Sequence, residues 1–234
     1  MNMRLLEMPS KTLLSSLVKG MPRSPAVFKG AAWAMVGEDA VSRVRRAAGV
    51  VLRPRLGENI VSEQSNEWSR EAVDIGDVLE KRNFGQARLE IEAEDAQRLR
   101  ATFGDAAVDF ETSAIFVTSQ SLRTPLHSDP QDGLLAHIFG TKRVLLVHPE
   151  DSDRSRKVLE KLLELRRVSG DHETISKSAA LKDMRCFAFD LNEGDALFLP
   201  KRWLHDIHSI TPTISFAVRF FIEEKNRRKR RRTK

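Results

Sequence analysis

His127, Ser128 and Asp129 stand in a run, Lys142 follows just past Gly140-Thr141, and a second histidine, His205, comes after Gly194-Asp195-Ala-Leu-Phe-Leu-Pro200. On a strand, residues two apart project from one face, so the His127 imidazole and the Asp129 carboxylate can grip a single cation together. His205 completes a set of two histidines and one carboxylate. Such a set leaves coordination positions open, as non-haem Fe(II) oxygenases require for substrate and oxygen to reach the metal, whereas structural zinc wants a closed, sulfur-rich shell. The competing account is a strand-end His127 and an Asp129 that opens the Asp129-Pro130 turn. His208 rivals His205, but on a strand beginning near Trp203 it faces the other way. His137, His148 and His172 lack a partner at matching spacing and read as structural.

The elements that must position these residues are short. Eight apolar stretches separated by turn signals run over 113–119, 122–129, 133–139, 142–148, 185–191, 195–199, 203–210 and 214–222. Eight strands make a small barrel or a two-sheet jelly roll, and periodicity alone also allows an ordinary sandwich. Between the fourth and fifth strands, Ser152 to Val168 clusters Val158, Leu159, Leu162, Leu163 and Leu165 apart from its charges, which predicts an amphipathic helical insert. Its role is either to cover one side of the barrel or to shape a substrate mouth. Upstream, Asp39 to Ala48, Val73 to Arg82 and Ala93 to Phe103 are expected to be helical, and Gly49 to Leu56 a strand. Met1 to Gly20 lacks the uninterrupted core of a secretory signal and is read as a surface or lid helix, with an organelle-targeting role as the minor alternative.

Thr124 to Asp151 (TPLHSDPQDGLLAHIFGTKRVLLVHPED) and Glu193 to His205 (EGDALFLPKRWLH) together resemble the JmjC and cupin-like family of Fe(II)- and 2-oxoglutarate-dependent dioxygenases, nearest to its small protein-hydroxylase branch. An HxD pair alone is weak, but several elements in the right order are much more specific. The resemblance implies a mainly β protein, a double-stranded β-helix (jelly-roll or cupin-like barrel) with an N-terminal helical elaboration. It divides the chain into a mixed lead-in over 1–112, a barrel over 113–222 and a basic disordered tail over 223–234. It also implies metal ligands His127, Asp129 and His205, and cosubstrate contacts from Lys142 and Thr124 to the distal carboxylate of 2-oxoglutarate. A buried ammonium at Lys142 needs such an anion, since an unpaired interior charge is costly; without the metal motif it reads as a hairpin lysine in solvent. Strict alternation sets Thr124 opposite in facing to His127, so its role requires a local bulge.

Three departures stand out. The chain has no tyrosine, so the phenol that some relatives aim at 2-oxoglutarate is missing. Gly133 and Arg219 occupy positions where related hydroxylases often carry asparagines. Arg219 is read as a carboxylate fork for the cosubstrate from the opposite wall, with an acidic substrate group or an outward orientation as alternatives. The expected reaction is hydroxylation of an unactivated C–H bond, on a protein side chain by preference, with release of succinate and carbon dioxide. A small-molecule hydroxylase, an N-methyl-lysine demethylase and a non-catalytic cupin-like binding module are the alternatives.

Composition narrows the class further. The single cysteine, Cys186, excludes an internal disulfide and a cysteine-rich zinc module, and a reducing intracellular compartment, nuclear or cytoplasmic, fits. No apolar run approaches a membrane span. The net charge is +6, but Lys225 to Lys234 alone carries eight basic residues and no acidic one, which leaves −2 for the rest. The Arg227 to Arg232 run therefore reads as a nuclear address met by an import receptor, ahead of a nucleic-acid arm, because no aromatic residue is interleaved to stack on bases.

Overall fold

The computed structural model describes residues 6–9, 24–47, 51–53, 73–82, 84–103, 108–151 and 185–220, with the backbone alone at 6–9, 51–53 and 125–126. The insert expected at 152–168, His172 and the basic tail lie outside the described residues.

In chain order the elements are β1 Leu6–Pro9, β2 Ala26–Lys29, α1 Ala31–Val36, α2 Ala40–Arg45, β3 Val51–Arg53, α3 Ile75–Glu80, β4 Gln86–Leu89 and α4 Ala93–Phe103. There follow β5 Val108–Thr118, β6 Arg123–His127, β7 Asp132–Phe139, β8 Thr141–Val147, β9 Cys186–Asn192, β10 Ala196–Leu199, β11 Leu204–Ser209 and β12 Thr213–Phe220. The last eight strands fall on the eight expected apolar stretches. They divide between two sheets in jelly-roll fashion, β10-β7-β12-β5 facing β6-β11-β8-β9, and the first sheet is widened by β2 and β1 at one side and by β4 and β3 at the other. The fold is the mainly β double-stranded β-helix.

Burial explains why the larger sheet reads as continuous apolar runs rather than strict alternation, for it is covered on both faces. On β7, β10 and β12, Leu134, Ala136, Ile138, Ala196, Phe198, Ile214, Phe216 and Val218 point to an outer core. There they meet Met35 and Val36 of α1, Val44 of α2, Ile75 of α3 and Leu99 of α4. The intervening residues Leu135, Leu197, Leu199 and Ala217 face the smaller sheet and pack on Val144, Leu146, Leu191 and Ile207. That inner layer is thinner in apolar bulk. His137 and Ser215 interrupt it, both fully buried, and so leave room for polar chemistry between the sheets.

The helical lead-in follows its capping and charge signals. Asp74 accepts from the Gly76 amide at 2.6 Å and so caps α3. Arg43 of α2 donates to Asp95 at the start of α4 at 2.5 Å and to the Val36 carbonyl at 2.7 Å, which ties three helices together. One expectation is corrected: Leu6–Pro9 is not part of a lid helix but a strand, paired in parallel with Ala26–Lys29. The exposed donors and acceptors along the edge of β2 take the chain as a partner, and this tertiary demand overrides the local preference.

Candidate metal centre

β6 and β11 are antiparallel neighbours, and their register sets His127 directly opposite His205. The two rings are 4.1 Å apart between centroids. Asp129 lies two residues past the end of β6, and its Oδ2 is 3.7 Å from His205 Nε2. One donor atom from each of His127, Asp129 and His205 lies within 4.8 Å of the others. His205 is buried and the other two are half-buried, so the cluster closes the rim of the barrel rather than its centre.

Hydrogen bonding orients the His205 ring. Its Nδ1 sits 3.0 Å from the Trp203 carbonyl oxygen. A carbonyl only accepts, so Nδ1 carries the proton and the Nε2 lone pair is left facing Asp129. The carboxylate is in a matching state. Asp129 Oδ2 is buried and lacks an aligned hydrogen bond, although Arg219 Nη2 approaches to 2.9 Å. The Arg219 charge offsets part of the cost of burying this carboxylate, and without an aligned hydrogen bond Oδ2 keeps lone-pair capacity for a second cation. Two imidazole nitrogens and one such oxygen, with no sulfur, therefore fit an octahedral-leaning divalent ion with open positions.

The bulge that Thr124 requires is present. Along β11, Ile207 pairs with Thr124 and His205 with His127, so two residues of β11 span three of β6. The extra residue returns Thr124 to the face that carries His127. On the other flank of β11, Ser209 pairs with Lys142 and His205 with Leu146. Thr124, His127, Lys142 and His205 thus share the inner face of the smaller sheet.

Lys142 is buried there, and among the described residues no carboxylate stands within ion-pair reach of it. Burial alone pushes its pKa down to about 8. His137, on the facing sheet, accepts from the Ser215 hydroxyl at Nδ1, 2.9 Å away, and donates from Nε2 to the Gly140 carbonyl at 2.8 Å. Burial first, and then the Lys142 charge, hold its pKa down at about 3, so this histidine stays neutral and structural. His148 packs edge-on against Trp203 at 4.9 Å. His208 aligns with Arg123 and Arg143 on the opposite face from His205 and stays out of the cluster.

A second polar pair escaped sequence reading. Arg123 and Asp206 form a buried two-pronged ion pair on the outer face of the smaller sheet, with Nε donating to Oδ1 at 2.7 Å and Nη2 reaching Oδ2. Each residue neighbours the site, Asp206 immediately after His205 and Arg123 immediately before Thr124. Nothing in their spacing signals the pairing, which depends on the β6–β11 register. Arg202 was also missed: its amide donates to the Asp129 carbonyl at 3.0 Å, and its φ of 70° marks a turn held in a sparsely populated conformation.

Comparison with known proteins bears on the family and the fold. Jumonji C domain-containing protein 5 of Drosophila melanogaster is 27% identical over 186 residues, which cover 68% of this chain and 44% of that protein. Lysine-specific demethylase 8 of Xenopus tropicalis is 23% identical over 222 residues, 86% of this chain and 48% of that protein. The chain thus spans less than half the length of these two relatives. The structure of YcfD, a ribosomal oxygenase from Escherichia coli, in complex with cobalt and 2-oxoglutarate aligns with a TM-score of 0.51 and 13% identity. That alignment covers 91% of this chain and 52% of that one, a likeness of fold. The cupin-like domain matches residues 55–227, most of the chain and all of the barrel strands, and the protein accordingly belongs to the JmjC-like, cupin-like domain family.

Proposed function

We propose that this chain is an Fe(II)- and 2-oxoglutarate-dependent oxygenase that hydroxylates an unactivated C–H bond of a protein side chain. The observation that carries the proposal is the convergence of His127, Asp129 and His205 at one end of the sheet face that carries a buried lysine with no carboxylate partner among the described residues. His127, Asp129 and His205 would hold the iron, which supplies the oxygen activation that protein side chains do not perform.

The chain's own contribution is binding, orientation and exclusion of water. Ser209, and with it Lys142, stands four residues along β11 from His205, about 13 Å at the usual strand rise. A lysine side chain and a short dicarboxylate together bridge such a distance, so one end of the diacid reaches the metal rim while the other meets the ammonium. Thr124, returned to this face by the bulge, is placed between the two levels and offers a hydroxyl. Leu135, Val144, Leu146, Leu191 and Ala217 wall the space with apolar surface and keep it dry. In that buried setting the Lys142 ammonium favours an anionic partner such as the distal carboxylate of the diacid.

The test is 2-oxoglutarate turnover with Fe(II) in the wild type and in His127→Ala, Asp129→Ala and His205→Ala. Loss in all three is expected; undiminished turnover would dispose of the proposal. Mass spectrometry of candidate peptides then separates outcomes, since hydroxylation adds one oxygen and demethylation removes a methyl group. The second outcome is kept in view by the likeness to lysine-specific demethylase 8. A protein that binds metal and 2-oxoglutarate yet never forms succinate would instead be a binding module. We further propose that Arg227 to Arg232 serves as a nuclear address, to be tested by imaging the chain with and without residues 225–234.

A further inference from the structure

Asp129 has few local restraints. It lies beyond the end of β6, so no pleat sets the direction of its side chain, and the Arg202 amide holds only its backbone carbonyl. The group that faces the carboxylate is Arg219, whose Nη2 is 2.9 Å from Oδ2. Arg219 comes from the opposite sheet, on β12, where it stands two residues past the inward-facing Ala217 and so points inward, and two features accommodate it there. The β12–β5 register is irregular between Ala217 and Arg219, and there the Arg219 amide donates to Ser113 Oγ at 2.9 Å while that hydroxyl donates to the Asp109 carbonyl at 2.6 Å. The extra residues of this irregularity belong to β5, and β12 keeps an unbroken register with β7 from Ala217 to Arg219, so the contact anchors the Arg219 backbone without redirecting its side chain. The second feature is Gly133, the register partner of Arg219 on β7: a Cβ at that position would stand 2.5 Å from Arg219 Nη1.

We propose, building on the metal reading above, that Arg219 is a positioning residue for the metal centre, and that Gly133 is the vacancy that admits it. The guanidinium holds the Asp129 carboxylate toward His127 and His205 from across the barrel. Lys142 lies level with Ser209, at the far end of β11 from His205, so the two cations address different anions. A guanidinium close to a divalent ion brings repulsion, but the carboxylate charge stands between them. Removing an outer partner of a metal ligand typically costs ten- to a hundredfold in metal affinity.

The experiment is titration of the 234-residue chain with Mn(II) alone, followed by calorimetry and by the electron paramagnetic resonance signal of free Mn(II). Wild type is compared with Arg219→Ala, Arg219→Lys, Gly133→Ala and the Gly133→Ala/Arg219→Ala double variant. Arg219→Ala should weaken Mn(II) binding by roughly 10- to 100-fold, and Gly133→Ala, which only displaces the guanidinium tip, should weaken it by a smaller factor. The double variant should be no weaker than Arg219→Ala, because both changes act on one contact. Arg219→Lys, with one point donor in place of a fork, should fall between. Affinity for 2-oxoglutarate at saturating Mn(II) should be unchanged throughout. Equal or tighter Mn(II) binding by Arg219→Ala overturns the inference. So does a loss confined to 2-oxoglutarate affinity, which would make Arg219 a cosubstrate fork. If Gly133→Ala does not fold, the two Arg219 single variants decide the matter. His205→Ala is the control: if it binds Mn(II) like the wild type, the metal reading itself fails, an outcome distinct from failure of Arg219 alone.

Discussion

His127 and His205 face each other across the β6–β11 ladder with ring centroids 4.1 Å apart, as a directly opposed cross-strand pair. Two imidazoles in such contact are mutually compatible when a shared cation takes a lone pair from each.

Removing either imidazole should therefore abolish stabilisation by metal. In wild type, Mn(II) at a hundred times its dissociation constant should stabilise the fold by about 2.7 kcal/mol, and a chelator should reverse the shift. His127→Ala and His205→Ala should show no metal-dependent change in Tm, as read by differential scanning fluorimetry. Turnover of 2-oxoglutarate should fall by more than about 100-fold in each, beyond the usual effect of an outer partner.

Lys142 predicts a pH dependence with a definite sign. Its pKa is lowered from 10.5 to about 8, so below pH 8 both folded and unfolded chains carry the proton and folding strands a charge. The cost is about 3 kcal/mol at 1.36 kcal/mol per unit. Between pH 8 and 10.5 the unfolded chain binds more protons than the folded one, and the ligand-free protein should gain stability from this group as pH rises. Affinity for 2-oxoglutarate should do the opposite and decline above pH 8, as the ammonium that meets its carboxylate is lost. Denaturant melts and calorimetric titrations across this range measure the two trends.

Lys142→Met should separate folding from function. Replacing the buried ammonium by an apolar side chain of similar length should raise the Tm of the ligand-free protein while removing its response to 2-oxoglutarate. A variant that is less stable than wild type and still responds to the diacid would contradict the role assigned to this lysine.

Asp206→Ala should be strongly destabilising, by about 3–5 kcal/mol, because it leaves the buried Arg123 guanidinium without its partner. Replacing both residues by apolar ones should recover much of that loss. Urea unfolding of the two single variants and the double variant gives the coupling directly.

Gly140→Ala should cost more than about 2 kcal/mol. Its φ is 80°, and an added Cβ would lie 2.0 Å from the Pro212 carbonyl oxygen. The β7–β8 turn carries Lys142 on its outgoing strand, so the diacid response should weaken along with stability, as seen in paired melts with and without 2-oxoglutarate.

Much of this protein was legible in its order of residues, and the reason is local. The eight barrel strands announce themselves because each is a short apolar run between turn residues, and α4 runs over the expected Ala93–Phe103 because its apolar and charged positions follow a helical period. His127 and Asp129 could be paired on paper by their two-residue spacing, although Asp129 lies past the end of β6 and strand alternation does not fix it, and His205 because Pro200 and Trp203 lead into a new strand. What only the tertiary structure decided depends on register and on which sheets oppose each other. The irregularity between His205 and Ile207 turns Thr124 to the site face, a displacement of one residue that no hydropathy pattern records. Leu6–Pro9 becomes a strand because β2 has an edge to fill, a demand created far away in the chain. Arg123 finds Asp206 across the β6–β11 ladder, and Arg219 finds Asp129 across the barrel, through the space left by Gly133. Composition and spacing therefore determined which groups are available, while the packing of two sheets decided which charges meet, because contact across a barrel depends on through-space geometry that sequence separation does not encode.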